Sequence, residues 1–239
     1  MTQPQYRSRV SRPKLAAFRV KIHQTDLLIQ AQQDLQDLAT TVVLQERRVL
    51  EGYIAAYPEF LETLTPWPAD PLAPPLVQAM IQAGIQAEVG PMAAVAGAIA
   101  QAVGQALLPL SPEVIVENGG DIFLHLTAPA TVALFAGTAR LSLKIGLQIT
   151  PAQTPVGVCT SSGTVGHSLS FGRADAACVL AADTALADAA ATALGNRVKR
   201  AADIAPALEW LAGIAGVQGG IVIVGEQLGA WGAVELRPL

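Results

Sequence analysis

The sequence predicts an α+β fold, mainly antiparallel sheet packed with helices, and three observations predict it. Hydrophobic residues make up 51% of the 239 positions and charged residues only 14%, enough apolar content to bury a sizeable core in one large unit. Apolar alternation and helical spacing take turns along the chain, in the order strands, helices, strands, then strands, helices, strands again. Successive strands lie close enough to form hairpins, which gives antiparallel pairing with helices laid on one face rather than parallel crossovers. The order reads as two copies of one ββααββ unit within a single domain, 1–239, with approximate halves 1–137 and 138–239, although no strong sequence repeat accompanies it.

The elements follow in order. Residues 18–23 alternate strictly, as a half-buried strand does. Thr25 and Asp26 give a turn signal, and residues 27–29 supply the second strand of a hairpin. From 33 to 57 the apolar residues Leu35, Leu38, Val42, Val49, Tyr53 and Tyr57 recur at helical spacing, until Pro58. Residues 65–75 hold five prolines and form a loop. A second helix covers 76–87, with Val77, Met80, Ile81 and Ile85 on one side, and Pro91 sits at the first turn of a third. Strands return at 114–116, 122–126 and 132–135, and the alternation of Leu141, Leu143, Ile145, Leu147 and Ile149 predicts the clearest strand in the chain. Residues 155–159 and 174–181 are further strands, 184–200 and 204–214 are helices, and strands at 221–224 and 233–236 close the chain around a Gly-rich turn.

Net charge is −4 and the isoelectric point near 5.3, which speaks against a nucleic-acid partner because phosphate binding needs a basic face. The basic cluster Arg7, Arg9, Arg12, Lys14, Arg19 and Lys21 reads as a solvated terminus, since no aromatic residues interleave with it. Two cysteines, Cys159 and Cys178, make no disulfide framework. The first residues are polar and basic, without an apolar leader, so a cytoplasmic setting is expected. The most apolar stretch, 91–110, approaches membrane-spanning length, but it carries Gln101 and Gln105 and is mostly alanine, so a buried helix is expected and not a membrane partner. Its small residues also suit subunit contacts, leaving a homo-oligomer open.

Four segments hold small or polar residues that a plain core does not need. Gly119 and Gly120, flanked by Asn118 and Asp121, allow positive φ and close backbone approach; a simple hairpin turn explains them equally. Thr160, Ser161, Ser162 and Gly163, with His167 beyond, form an anion cradle of hydroxyls and backbone amides, with no Lys at Walker spacing. Cys159 beside them reads as a small buried hydrophobe rather than a nucleophile served by His167. Asp188 and Thr192 are four apart on one helical face amid alanines, and an acid there calls for a partner or a cation. A carboxylate plus a hydroxyl suits Mg²⁺, with substrate phosphates completing its shell. The plainer alternative is an acid serving its own helix dipole, but Asp183 and Thr184 already supply a cap. Finally, residues 90–100 give a helix start free of bulk, able to admit a flat ligand or a phosphate, or to pack closely on a sheet.

In this order, the helix start at 93–97, the turn 118–121, the loop 160–163 with His167, and Asp188 with Thr192 resemble the ApbE (FAD:protein FMN transferase) superfamily. A shorter branch of it is closer still, sharing stretches like those at 89–100, 116–122, 159–176 and 186–196. The resemblance implies two T-fold-like halves with the ligand bound between them. It implies Mg²⁺ held by Asp188 and Thr192 with a main-chain carbonyl near Ala94. It implies FAD, or a related dinucleotide, along Asn118, Gly119, Gly120, Asp121, Thr160, Ser161, Ser162 and Gly163, with His167 and Asp188 in catalytic roles. In those transferases FMN moves to a Thr or Ser hydroxyl of an acceptor protein. This chain departs from them at two places: Ala96 stands where they carry a Lys, and Ser168 to Arg173 replace an Asp-Pro and a Thr-Gly pair. Mg-dependent transfer or hydrolysis of a flavin nucleotide is therefore one expectation, and a flavin- or nucleotide-binding protein without transferase activity the other.

Overall fold

Eight strands form the main sheet in a computed structural model that describes residues 10, 12, 14–163 and 171–239. Its order is β1 (Ala16–Ile22), β2 (Thr25–Ala31), β3 (Val114–Asn118), β4 (Asp121–His125), β7 (Val156–Ser161), β8 (Ala176–Ala181), β9 (Val217–Val224) and β10 (Gln227–Gly232). Every neighbouring pair is antiparallel. The helices α1 (Gln36–Ala56), α2 (Glu59–Glu62), α3 (Pro75–Ala87) and α4 (Val95–Leu107) fall between β2 and β3. Likewise, α5 (Thr184–Arg197) and α6 (Ile204–Ala212) fall between β8 and β9. The α+β class with antiparallel sheet and helices on one face is as expected.

Strand alternation divides the core into two layers. Val116, Phe123, Cys159, Val179 and Val222 face the helices, in one cluster with Ala98, Val103, Ala187 and Leu194. Ile115, Ile122, Val158, Cys178 and Ile221 face the other way. There a second sheet covers them: β5 (Ala130–Ala133), β6 (Ile145–Ile149) and β11 (Leu236–Pro238), in the order β11-β6-β5. The molecule thus has three layers, helices over a large sheet over a small one. The anticipated division near residue 137 falls between β5 and β6, which pair with each other through Val132 and Leu147.

Several expectations are corrected. The alternation from Leu141 becomes strand only at Ile145, because residues 138–144 close successive tight turns (Ala139 N–H to Ala136, Ser142 to Ala139, Lys144 to Leu141) with Leu143 at φ +56°. The first hairpin turns at His23 (φ +51°) and Gln24, and Thr25 already belongs to the strand. The last hairpin turns at Gly225 (φ +59°), so its second strand is β10, earlier than 233–236. Gly229 suits β10 to its place: a Cβ there would press into Ile204 and come within 3.1 Å of a Leu208 methyl on α6. The apolar stretch after Pro91 begins with a 3-10 turn, Pro91–Ala94, then runs on as the largely buried α4. Among the described residues no single helix is long and apolar enough to cross a membrane.

Candidate functional site

The start of α4 lies against the first turns of α5, beside the β3–β4 turn on the helix-covered face. Close approach is possible because position 97 is glycine: a Cβ there would collide with the Thr184 carbonyl and lie 2.8 Å from the Cβ of Asp188. A helix start leaves its first amides without partners, and the N-cap of α4, Ala94, offers no side-chain acceptor. Asp188 supplies it from the neighbouring helix, its Oδ2 accepting from the Gly97 amide at 2.8 Å. The α5 start is capped separately by Asp183, whose side chain accepts from Leu186 at 2.9 Å. Asp188 therefore serves the dipole of α4 rather than that of its own helix.

β3 and β4 bring two more polar groups to the same place. Asn118 and Asp121 are paired across a two-residue turn in which Gly119 and Gly120 take φ of +66° and +118°. A Cβ on Gly119 would meet nothing, so this glycine is there for its backbone conformation alone. Asn118 is buried on the helix side, and its Nδ2 donates to the Ala96 carbonyl at 3.1 Å. Asp121 follows the same alternation as Phe123, which faces the helices. Its charge acts on Asp188, whose carboxyl is pushed well above the usual range, first by burial and then by Asp121, while the Gly97 and Ala96 amides pull it back. Cys159 completes this corner. It is fully buried, donates through Sγ to the Thr184 carbonyl at 3.5 Å, and its thiol is pushed up by burial and by the nearby Asp121 and Asp188. That is an inert, protonated thiol, as the sequence suggested.

The remaining candidates separate. Thr192 is half-buried one turn beyond Asp188 on α5. Ala94 is buried at the end of the 3-10 turn leading into α4. Ser161 faces α5, its Oγ near where a Gly195 Cβ would be, whereas Thr160 belongs by alternation to the opposite face with Val158. Ser162 and Gly163 leave β7, with the Gly163 amide donating to Ala174. His167 lies outside the described residues.

A family model described as "AbpE bacteria" matches residues 7–210. A UPF0280 protein of Methanocella arvoryzae is 40% identical over 213 residues, covering 89% of this chain and 86% of its own length. One of Methanococcus aeolicus is 41% identical over 222 residues, covering 90% of each. The chain belongs to this family. Among solved structures, the flavinyl transferase ApbE of Pseudomonas stutzeri superposes with a TM-score of 0.58 at 12% identity, covering 92% of this chain and 94% of that one. The flavin transferase ApbE of Vibrio cholerae gives 0.57, also at 12%, covering 91% and 96%. The family fold is thus ApbE-like.

The α4–α5 corner offers oxygen atoms of the kind a hard cation takes. No group of three or more His, Cys, Asp or Glu among the described residues could hold a metal. The corner's oxygen atoms are those of the Asp188 carboxyl with that of Asp121, whose charge acts on it, and the Thr192 hydroxyl one turn further along α5. This is a partial, hard-ligand shell of the kind Mg²⁺ completes with water or phosphate oxygens. Sequence reasoning named the helix start 93–97 but looked to a carbonyl near Ala94 and did not single out the Ala96–Gly97 peptide, although Gly97, between Ala96 and Ala98 within a helix, was a visible sign of close approach.

Proposed function

We propose that this protein binds a flavin nucleotide, FAD or a close relative, with Mg²⁺ at the α4–α5 corner, and acts on its pyrophosphate by transfer or hydrolysis. The observation that carries this is the buried Asp188 carboxyl seated on the Gly97 amide at the start of α4 at 2.8 Å, its pKa raised by burial and then by the charge of Asp121, an environment that a cation would stabilise. Asp188 and Thr192 would hold the ion, with a carbonyl near Ala94. The bound ion would neutralise charge developing on the pyrophosphate oxygens. The chain's own residues do the positioning. Gly119 and Gly120 let the β3–β4 turn approach a ligand closely, and Ser161 to Gly163 would line the phosphate side. In transfer, an acceptor hydroxyl would attack the FMN phosphorus, the P–O bond to AMP would break, and AMP would leave. In hydrolysis, water takes the acceptor's place. The flavin and transferase descriptions of the superposed ApbE structures support this reading. The element order of the main sheet supports two duplicated, T-fold-like halves, and the buried cysteines Cys159 and Cys178, not joined in a disulfide, suit a reducing cytoplasmic setting.

The test is incubation of the purified protein with FAD and Mg²⁺, with and without an acceptor, followed by chromatography for FMN and AMP. Release of AMP that requires Mg²⁺ and is lost in Asp188→Ala supports the proposal. A second reading, binding without turnover, draws on Ala96 standing where the transferases carry a Lys. Retained FAD with no AMP selects it, and neither binding nor turnover refutes both.

A further inference from the structure

We infer that Asn118 is a positioning residue, setting the Asp188 carboxylate for a divalent cation through one peptide group. This rests on the cation reading of Asp188 above. The carbonyl of Ala96 and the N–H of Gly97 belong to the same planar peptide. Its oxygen accepts from Asn118 Nδ2 at 3.1 Å and its N–H donates to Asp188 Oδ2 at 2.8 Å. The consecutive elements α4 and β3 and the distant α5 are joined in one line, Asn118 to peptide to Asp188.

The two bonds differ in what the fold requires. Early helix amides lack partners within the helix, so the Gly97 N–H needs an acceptor whatever the site does. Early helix carbonyls do not lack partners, because the amide one turn on serves them. The bond from Asn118 is therefore not demanded by the helix start. Its effect is on the peptide: a donor at the oxygen draws electron density from the N–H and strengthens its bond to the carboxylate. It also prevents the peptide from tilting, and with it the carboxylate plane. Asn118 is held firmly enough to do this, being buried and register-locked between Leu27 and Asp121. Outer partners that orient a ligating carboxylate commonly govern metal affinity.

Manganese binding to the full chain, followed by the loss of free Mn²⁺ signal in electron paramagnetic resonance, tests this beside the Gly97 amide resonance. Asn118→Leu keeps the volume and removes the donor. The expected result is Mn²⁺ affinity lower by about tenfold to a hundredfold, with the Gly97 amide proton moved upfield and the fold intact by circular dichroism. Asn118→Ser, too short to reach Ala96, carries the same readouts should the leucine variant not fold. Asp188→Asn is the reference. Unchanged Mn²⁺ affinity in the Asn118 variants, with binding abolished in Asp188→Asn, overturns the positioning role and leaves the cation reading standing. Wild-type protein that binds no Mn²⁺ overturns both.

Discussion

Replacing Gly97 by alanine probes the closest approach in the site. An alanine methyl would collide with the Thr184 carbonyl and sit 2.8 Å from Asp188 Cβ. The first obstacle is backbone of a buried helix, so it cannot swing aside, and α4 must shift off α5. Overpacking of this kind costs about 1–3 kcal/mol, and the rigid carbonyl places this case near the upper end, about 3 kcal/mol. Alanine recovers about 1 kcal/mol in helix propensity. The net loss is about 2 kcal/mol, which for a chain of this size lowers the melting temperature by about 4–8 °C. Gly52, exposed on α1 with nothing within 4 Å of where a Cβ would stand, is the control. There the same change gains about 1 kcal/mol and raises the midpoint by about 2–4 °C. Differential scanning calorimetry of the two variants beside wild type decides the matter. If Gly97→Ala stabilises as Gly52→Ala does, α4 and α5 do not meet as described.

Three further outcomes follow from the same corner. The Asp188 carboxyl lies above its unfolded value, so the folded state keeps that proton longer; its contribution favours folding least once it is ionised, and stability declines as pH rises from about 4 through the folded value. Asp188→Asn should flatten this decline in metal-free protein, and parallel melting curves against pH for the two proteins would contradict it. Both thiols are buried, and burial raises that of Cys159, so a thiol reagent at pH 8 should leave them unmodified until denaturant is added; prompt labelling of Cys159 in the native protein would show an open corner. Gly119→Ala meets no atom yet must hold φ +66°, so urea unfolding should show a loss of about 1 kcal/mol, and no loss would mean the turn adopts another form.

Much of the fold could be read from local patterns. Alternation in 18–22 and 27–29, the turn at 118–121 and the alanine-rich helix around Asp188 all stand as strands, turn and helix, because each is set by residues close in sequence. Long-range partners were not legible. The small lower sheet joins strands of three to five residues, with β11 reaching back to β6 across most of the second half; short strands carry little periodicity. The turns at 138–144 share the alternation of a strand, and only the hydrogen bonding of their backbone distinguishes them. At the site, the spacing of Asp188 and Thr192 named one helical face. It could not show that Asp188 caps a helix start 91 residues away, since capping was expected only from a residue's own helix.

The central claim, that Asp188 marks a nucleotide site completed by a divalent cation, is tested most directly by isothermal titration of FAD into wild-type protein and Asp188→Ala, each with Mg²⁺ and with chelator. The account predicts strong binding only in the wild type with Mg²⁺, and equal, weak heats in the other three titrations. Binding of FAD that is the same with and without Mg²⁺, and the same in Asp188→Ala, would contradict it.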